Sequence, residues 1–184
     1  MGQIIVSEFL SLDGVMESPD RWQTGYVNEQ MSRDIEREIS SADVLLFGRT
    51  TFLTMAEAWP SRTGPIADRF NNLPKVVVST TLEETRWNRS RLTSENVVDE
   101  IRKLKQETSR SILVWGSWGL VQTLMKQTLI DAYHLYVHPC LLGSGKRLFG
   151  NDFPAQNLEL LSSEAFTTGV IVQSYQKGGT RCGS

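Results

Sequence analysis

The chain has 184 residues, of which 40% are hydrophobic and 22% are charged, and this size and balance suit one globular domain with a sizeable core. Its net charge of −2 and isoelectric point near 5.7 lack the basic excess that binding to a nucleic-acid backbone requires. No apolar run approaches the roughly 20 residues of a membrane span, and two cysteines and two histidines predict neither a disulfide framework nor a metal site, so we expect a cytoplasmic protein without nucleic-acid, membrane or metal partners.

The order of secondary structure follows from short apolar runs, which indicate strands, and from apolar residues at one-turn spacing, which indicate helices. Strands are predicted at 3–9, 43–47, 75–78, 111–115, 132–139, 158–166 and 170–176. Helices are predicted at 27–39, 52–58, 97–104 and 120–127, and residues 61–73 form either a loop or a short helix. Thr50 or Thr51 is expected to cap the second helix, and Thr93 or Ser94 the third.

Strands that alternate with helices predict a mostly parallel sheet with helices on both faces. The last two strands are separated only by Thr167, Thr168 and Gly169, and this spacing indicates an antiparallel hairpin. The chain is therefore expected to be a single α/β domain over residues 1–177. Residues 178–184 are rich in glycine and are expected to form a disordered tail.

The stretch from Val114 to Met125 is a strand that runs through a glycine-broken turn directly into a helix. Gly116 and Gly119 relax the backbone at this bend. A helix start reached in this way presents unpaired N–H groups and the positive end of the helix dipole, which together suit a phosphate. An ordinary connection between a strand and a helix fits the same residues, so the stretch alone leaves both interpretations open.

Two other predicted strands end in turns with similar chemistry. Gly48, Arg49 and Thr50 follow the second strand, and Ser79 and Thr80 follow the third. Arginine, hydroxyl groups and helix-start amides all bind phosphate. Taken singly, Arg49 fits a surface cation and the serine–threonine pair a simple turn. Because ligands of open α/β sheets bind outside the carboxyl ends of the strands, the three turns together predict contacts to one extended, phosphate-bearing ligand.

Five ordered motifs across nearly the whole chain resemble the dihydrofolate-reductase-like superfamily, and in particular the group similar to the C-terminal reductase domain of bifunctional riboflavin-biosynthesis enzymes. The motifs are SLDG at 11–14, LFGRTTF at 46–52, VVVSTT at 76–81, VWGSWGLVQTLM at 114–125 and HPCLLGSGKRLF at 138–149. The resemblance implies a three-layer sandwich around a mixed sheet of eight or nine strands. It also implies NADPH as the cofactor.

The same resemblance assigns cofactor contacts to each turn. Leu12 and Gly14 would lie near the nicotinamide. The remaining contacts would be with the phosphates, through Gly48, Arg49, Thr50, Ser79, Thr80, Gly116, Ser117, Trp118, Gly119 and Leu120. Folate reductases differ in having a Gly-Gly pair where this chain has Gly116-Ser117, and a buried carboxylate on the first helix. Glu29 and Asp34 lie on that helix without the surrounding pattern, which disfavours folate as the substrate.

Asp13 is the candidate catalytic residue, because a carboxylate after the first strand can orient a substrate or relay a proton. An Asp-Gly pair is also a common turn in which the aspartate bonds local amides. Trp22 either covers the substrate or belongs to the core. Lys146 and Arg147 face either an anionic substrate group or a second subunit of a possible homodimer.

These observations predict an NADPH-dependent, pyrimidine-reductase-like enzyme acting on an unidentified small heterocyclic or carbonyl substrate. The alternative is a catalytically silent NADP(H)-binding protein of the same fold.

Overall fold

The computed structural model describes residues 1–150 and 153–179, in which eight strands form one sheet. The strands are β1 (Gln3–Ser11), β2 (Ala42–Gly48), β3 (Lys75–Val78), β4 (Ser90–Thr93), β5 (Ser111–Trp115), β6 (Ala132–His138), β7 (Leu158–Ala165) and β8 (Ile171–Lys177). The α-helices are α1 (Glu29–Ser41), α2 (Arg49–Ala58), α3 (Pro65–Asn72), α4 (Val97–Glu107) and α5 (Trp118–Lys126). Two short 3-10 helices, Pro19–Arg21 and Thr24–Tyr26, lie between β1 and α1.

The strand order across the sheet is β4-β3-β2-β5-β1-β6-β8-β7. The first six strands in that order are parallel to one another, whereas β8 pairs antiparallel with both β6 and β7. The predicted mostly parallel sheet with an antiparallel hairpin at its end is therefore confirmed.

Helices cover both faces of the sheet, as predicted for a three-layer sandwich. On one face, Ile39 of α1, Phe52 of α2 and Phe70 of α3 pack with apolar residues of β2, β3 and β5. On the other face, α4 and α5 pack over the alternate residues of the same strands and of β1. Burial on both faces explains why β5, with the sequence SILVW, is apolar at four consecutive positions.

The start of α2 differs from the prediction. Gly48 is the N-cap and no side chain caps the helix, so the assignment of the cap to Thr50 or Thr51 is wrong. The hydroxyl of Thr51 instead accepts a hydrogen bond from the Ser117 N–H at 2.8 Å. The Thr51 hydroxyl therefore bonds to Ser117, 66 positions away in the chain, and does not cap its own helix.

The other helix starts are also shifted. Asn96, in a left-handed conformation, is the N-cap of α4, so the cap predicted at Thr93 or Ser94 is wrong, because Thr93 is committed to strand β4. Helix α5 starts at Trp118 rather than at Leu120. The earlier start brings Trp118 and the glycine after it into the first helical turn.

Strand β4 is absent from the sequence prediction. It has four residues, SRLT, and it lies at the edge of the sheet, so its pattern is too short and too polar to be recognised. Residues 61–73, left open by the sequence, contain helix α3, which begins with Pro65 in its first turn. At the other end of the chain, the Gly178 N–H donates to the Asn157 carbonyl at 2.8 Å, and the tail residues 180–184 lie outside the described residues.

Candidate active site

The strand order places a topological switch point at the carboxyl ends of β1 and β5, in the centre of the sheet. These strands are neighbours, but α1, which follows β1, packs on one face of the sheet, and α5, which follows β5, packs on the other. The chain therefore leaves the two strands in opposite directions. Ligands of open α/β sheets bind at such a switch point, and the predicted cofactor residues lie around it.

The turn after β5 is locked to the turn after β2. Gly116 and Ser117 both have left-handed backbones, with φ of 62° and 66°. The Gly48 N–H donates to the Ser117 hydroxyl at 2.9 Å, and the Ser117 N–H donates to the Thr51 hydroxyl at 2.8 Å. A Cβ on Gly116 would lie 2.9 Å from the Thr51 methyl group, so only glycine fits here. The two turns form one rigid unit.

This lock divides the predicted cofactor residues into two groups. The amides of Gly48 and Ser117 are already bonded within the protein, so these residues shape the site. The first amides of α2 and α5, which include those of Arg49 and Trp118, have no partner inside their helices. At Gly119 a Cβ would meet nothing within 4 Å. Free amides and open space beside them suit a phosphate.

At the third predicted contact, which follows β3, one of the two hydroxyl groups is already bonded within the protein. The Ser79 hydroxyl accepts the N–H groups of Thr81 and Leu82 at 3.2 and 3.0 Å, which closes a tight turn. Thr80 is exposed. Because β3, β2 and β5 are consecutive in the sheet, the three turns lie in a row at the carboxyl ends of these strands.

Asp13 holds two loops together. Its carboxylate accepts hydrogen bonds from the Ser11 hydroxyl at 2.7 Å and from the N–H groups of Leu142 and Gly143 at 3.1 and 2.9 Å. Arg147 also donates to it, at 3.3 Å. The Ser11 and Leu142 hydrogen bonds hold the pKa of Asp13 well below its usual range. A carboxylate that stays ionised and fully bonded is suited to anchor a loop, and these contacts argue against proton donation by Asp13.

Lys146 and Arg147 are directed towards this same group of loops. Lys146 lies 3.4 Å from the Glu17 carboxylate and 5.6 Å from the centre of the Trp118 ring. The Trp118 indole N–H donates to the Arg147 carbonyl at 2.9 Å. Trp118 therefore joins the start of α5 to the loop after β6. Their contacts give both cations partners within the chain.

A buried polar group, which we call the α1 cluster, lies between helix α1 and strands β1 and β6. Its members are Ser7, Asp34, Glu38, His134 and Tyr136. Asp34 accepts hydrogen bonds from the His134 ring at 2.7 Å and from the Tyr136 hydroxyl at 2.9 Å. Burial alone would lower the pKa of His134, but the hydrogen bond and the charge of Asp34 raise it. His134 and Asp34 therefore form an ion pair whenever the imidazole is protonated.

Glu38 is the second carboxyl of the cluster, one helical turn after Asp34. It accepts a hydrogen bond from the Ser7 hydroxyl at 2.8 Å, while its other oxygen is buried without a partner. Burial raises the pKa of Glu38 to about 7. On β1, Glu8 is 3% exposed and has a similar unpartnered oxygen, and burial raises its pKa well above the usual range. Glu38 can therefore carry a proton near neutral pH.

Sequence reasoning missed the α1 cluster as a site. One signal was present, because His134, Tyr136 and His138 alternate with apolar residues along β6. Strand β6 has a partner on each side, so its polar side chains must be satisfied by side chains of a neighbouring strand, as Ser174 does for His134, or by residues that pack above the sheet. Asp34 is the partner of both His134 and Tyr136, but no pattern within α1 distinguishes it from the surface carboxylates of that helix.

Trp22 lies against His138, the last residue of β6. Their ring centres are 5.1 Å apart and the rings meet edge to face at 86°. Tyr26 and Phe9 approach the same imidazole at 5.4 and 5.7 Å, also edge to face. Trp22 therefore packs on the end of β6, and its role in covering a substrate stays a prediction.

Neither a metal-binding cluster nor a membrane-spanning helix is present in the described part of the chain. No group of three or more His, Cys, Asp or Glu side chains there is placed to hold a metal ion. Over residues 1–150 and 153–179, no helix is long and apolar enough to cross a membrane.

The locked glycine turns and the sheet order define an α/β protein with the dihydrofolate-reductase-like fold. The chain belongs to the family of the RibD C-terminal domain, whose model matches residues 3–172. Family membership supports a reductase-like role. The chain is also 26% identical to the uncharacterized protein YyaP of Bacillus subtilis strain 168 over 193 residues, which covers 96% of each protein.

Solved structures share this fold. A putative riboflavin biosynthesis protein from Shewanella sp. PV-4 superposes with a TM-score of 0.74 at 24% identity, over 96% of this chain and 99% of that one. A pyrimidine reductase-like protein from Corynebacterium diphtheriae gives 0.70 at 12% identity, over 97% and 92%. A deaminase/reductase from Thermotoga maritima gives 0.67 at 14% identity, over 96% of this chain and 57% of that one.

Proposed function

We propose that the protein is an NADPH-dependent reductase that delivers hydride to a small heterocyclic or carbonyl substrate. The observation that carries the proposal is the locked pair of turns after β2 and β5, which leaves helix-start amides free beside the open space at Gly119. When bound, NADPH would supply the hydride. Arg49 and Thr50, which are exposed at the start of α2, and the first turn of α5 would hold its phosphates.

Reduction also requires a proton on the atom next to the carbon that receives hydride. Asp13 is poorly suited to supply it, because its pKa is low and its oxygens are bonded. Glu38 is better suited, since burial raises its pKa to about 7 and one oxygen has no partner in the protein. We therefore assign proton supply to Glu38, which is held in place by Ser7.

Cofactor binding is tested first, by titrating NADPH and NADH while following tryptophan fluorescence. Trp118 is the first residue of α5 and is 39% exposed, so NADPH should quench it at sub-millimolar concentration. The Trp118→Phe variant should lose most of that signal. If neither nucleotide binds to the wild-type protein, the reductase proposal is wrong.

Turnover is tested next, by following NADPH oxidation with dihydrofolate, a ribosylamino-pyrimidinone phosphate and simple ketones. Glu38→Gln should slow any turnover and remove its dependence on a group with a pKa near 7. Glu36→Gln, an exposed position on the same helix, is the matched control. Cofactor binding without oxidation across this set would favour a silent NADP(H)-binding protein.

A further inference from the structure

His138 has one nitrogen fully used and the other without a partner. Its Nδ1 lies 3.1 Å from the Leu10 carbonyl and 2.9 Å from the Tyr136 carbonyl. Carbonyls only accept hydrogen bonds, so Nδ1 must carry the proton. The side chain is 0% exposed and burial lowers its pKa, which keeps the ring neutral. Its Nε2 is therefore a lone-pair acceptor, and it is buried with no hydrogen-bond partner.

The cover over His138 is the segment 18–27, which contains Trp22 and Tyr26. The hydrogen bonds made by its residues join positions no more than five apart in the chain, so in the described structure the segment rests on the sheet through packing alone. Ser18 at its start has a left-handed backbone with φ of 49°, which is strained for a residue other than glycine. Such a segment can separate from the sheet without breaking a long-range hydrogen bond.

A second unsatisfied acceptor belongs to this cover. The side-chain oxygen of Gln23 is buried without a partner, like the Nε2 of His138. Buried polar atoms in native proteins normally have partners, and both of these lack a donor. The surrounding side chains, Phe9, Trp22 and Tyr26, are aromatic and offer stacking surfaces to a flat ring.

We propose that His138 is a specificity-determining residue whose Nε2 accepts a hydrogen bond from an N–H or O–H group on a planar, uncharged substrate ring. The ring enters when the segment 18–27 moves outward, and Trp22 and Tyr26 then pack against it. This inference deepens the proposed reductase function and rests on it. A ring without a donor leaves Nε2 buried and unpaired, and is therefore rejected.

Lumazine, a flat fluorescent ring with two N–H donors, and 1,3-dimethyllumazine, which has none, form a matched pair of probes. Both probes are titrated into NADP⁺-saturated wild-type protein. Lumazine should bind at least about tenfold more tightly than 1,3-dimethyllumazine, which is the effect of one hydrogen bond to a buried acceptor. His138→Phe should reduce that ratio to about one. The Trp22→Phe variant keeps an aromatic ring in the cover and leaves the Nε2 of His138 in place, so it should preserve the ratio of the two affinities. Equal binding of the two probes by the wild-type protein, or binding of neither, would overturn the proposal.

A measurement on the wild-type protein avoids any dependence on the folding of the His138 variant. The chain has two histidines, so nitrogen NMR of histidine-labelled protein gives a simple spectrum in which His138 has one unprotonated nitrogen. Lumazine should shift that resonance upfield, and dimethyllumazine should leave it in place. A resonance already in the hydrogen-bonded position without ligand would mean that a buried water satisfies Nε2, and the inference would be wrong. Failure of NADPH binding with intact lumazine discrimination would instead count against the reductase proposal.

Discussion

The turns after β2 and β5 and the α1 cluster are built on opposite principles. The turns use glycines, small hydroxyls and backbone amides, and each turn is one short stretch of chain, although hydrogen bonds join the two turns across 69 and 66 positions. The α1 cluster uses ionisable side chains brought together from strands and a helix, with Asp34 and His134 100 positions apart. The first region suits recognition of a fixed cofactor, and the second suits control of protons and substrate.

The difference also predicts where stability resides. Backbone-shaped turns cost little to bury, because their polar groups satisfy one another. Buried ionisable groups cost much more unless they are paired. Damage to the α1 cluster should therefore act mainly on folding and its pH dependence, whereas damage to the turns should act more on cofactor binding.

The largest effect is expected from Asp34→Ala. It leaves His134 and the Tyr136 hydroxyl buried without their shared acceptor, and loss of one partner of a buried pair costs about 3–5 kcal/mol. Glu29→Ala is the control on the same helix, because its pair with Arg33 is 2.7 Å long but largely exposed and is worth less than about 1 kcal/mol. Urea unfolding at pH 7 measures both, and similar losses would contradict the assigned importance of the cluster.

The next largest effect is expected on the pH dependence of folding stability, which Glu38→Gln should change. The folded pKa of Glu38 is raised from 4.5 to about 7, so its ionisation favours the unfolded chain as pH rises through that window. Relative to Glu38→Gln, the wild-type protein should lose roughly 2–3 kcal/mol between pH 4.5 and pH 8, at about 1.4 kcal/mol per pKa unit. Thermal unfolding of both proteins across this range measures the difference.

His134 should also make the folded protein less stable as pH rises. Its folded pKa is raised above 6.5, so the stability from its charged form is present below that value and is lost as pH rises through the folded pKa. Glu36→Gln, at an exposed position of α1, should follow the wild-type curve. Parallel curves for the wild-type and Glu38→Gln proteins would show that Glu38 ionises normally.

A smaller loss of stability is expected from Gly116→Ala. The left-handed backbone costs about 1–2 kcal/mol for alanine, and the new Cβ would press on Thr51 at 2.9 Å, so the total should be about 2 kcal/mol and NADPH binding should weaken as well. Gly119→Ala is the control for stability, since its Cβ meets nothing within 4 Å. Equal melting temperatures for the two variants would contradict the locked turn.

The smallest effect on folding, but a selective one on binding, is expected from Arg49→Ala. Arg49 is exposed at the start of α2, so its removal should leave stability unchanged. Loss of a charge-assisted contact to the 2′-phosphate should weaken NADPH about tenfold and NADH much less. Fluorescence titration with both nucleotides measures this, with Arg62→Ala, near the far end of α2, as the control. Equal weakening would place Arg49 away from that phosphate.

The sequence was most informative where structure depends on neighbouring residues. The apolar run of β5 and the glycine turn after it predicted a buried strand, a sharp bend and a helix, and all three are present. It was less informative at β4, whose four residues form a strand only because β3 pairs with them. The cap assigned to Thr51 failed for a related reason, since the tertiary structure gave that hydroxyl to Ser117.

In the candidate site, too, the features that depend on neighbouring residues were predicted and those that depend on long-range packing were not. Hydrophobic period, glycine position and turn chemistry are local properties, so the sequence by itself determined the fold class and the positions of the turns after β2, β3 and β5. Side-chain partners across the sheet depend on which elements pack together, so only the tertiary structure decided that Asp13 anchors a loop and that Asp34 pairs with His134. It also buried the Nε2 of His138 without a partner. Desolvation and long-range pairing determine the protonation of these groups, and neither is written in any short stretch of the chain.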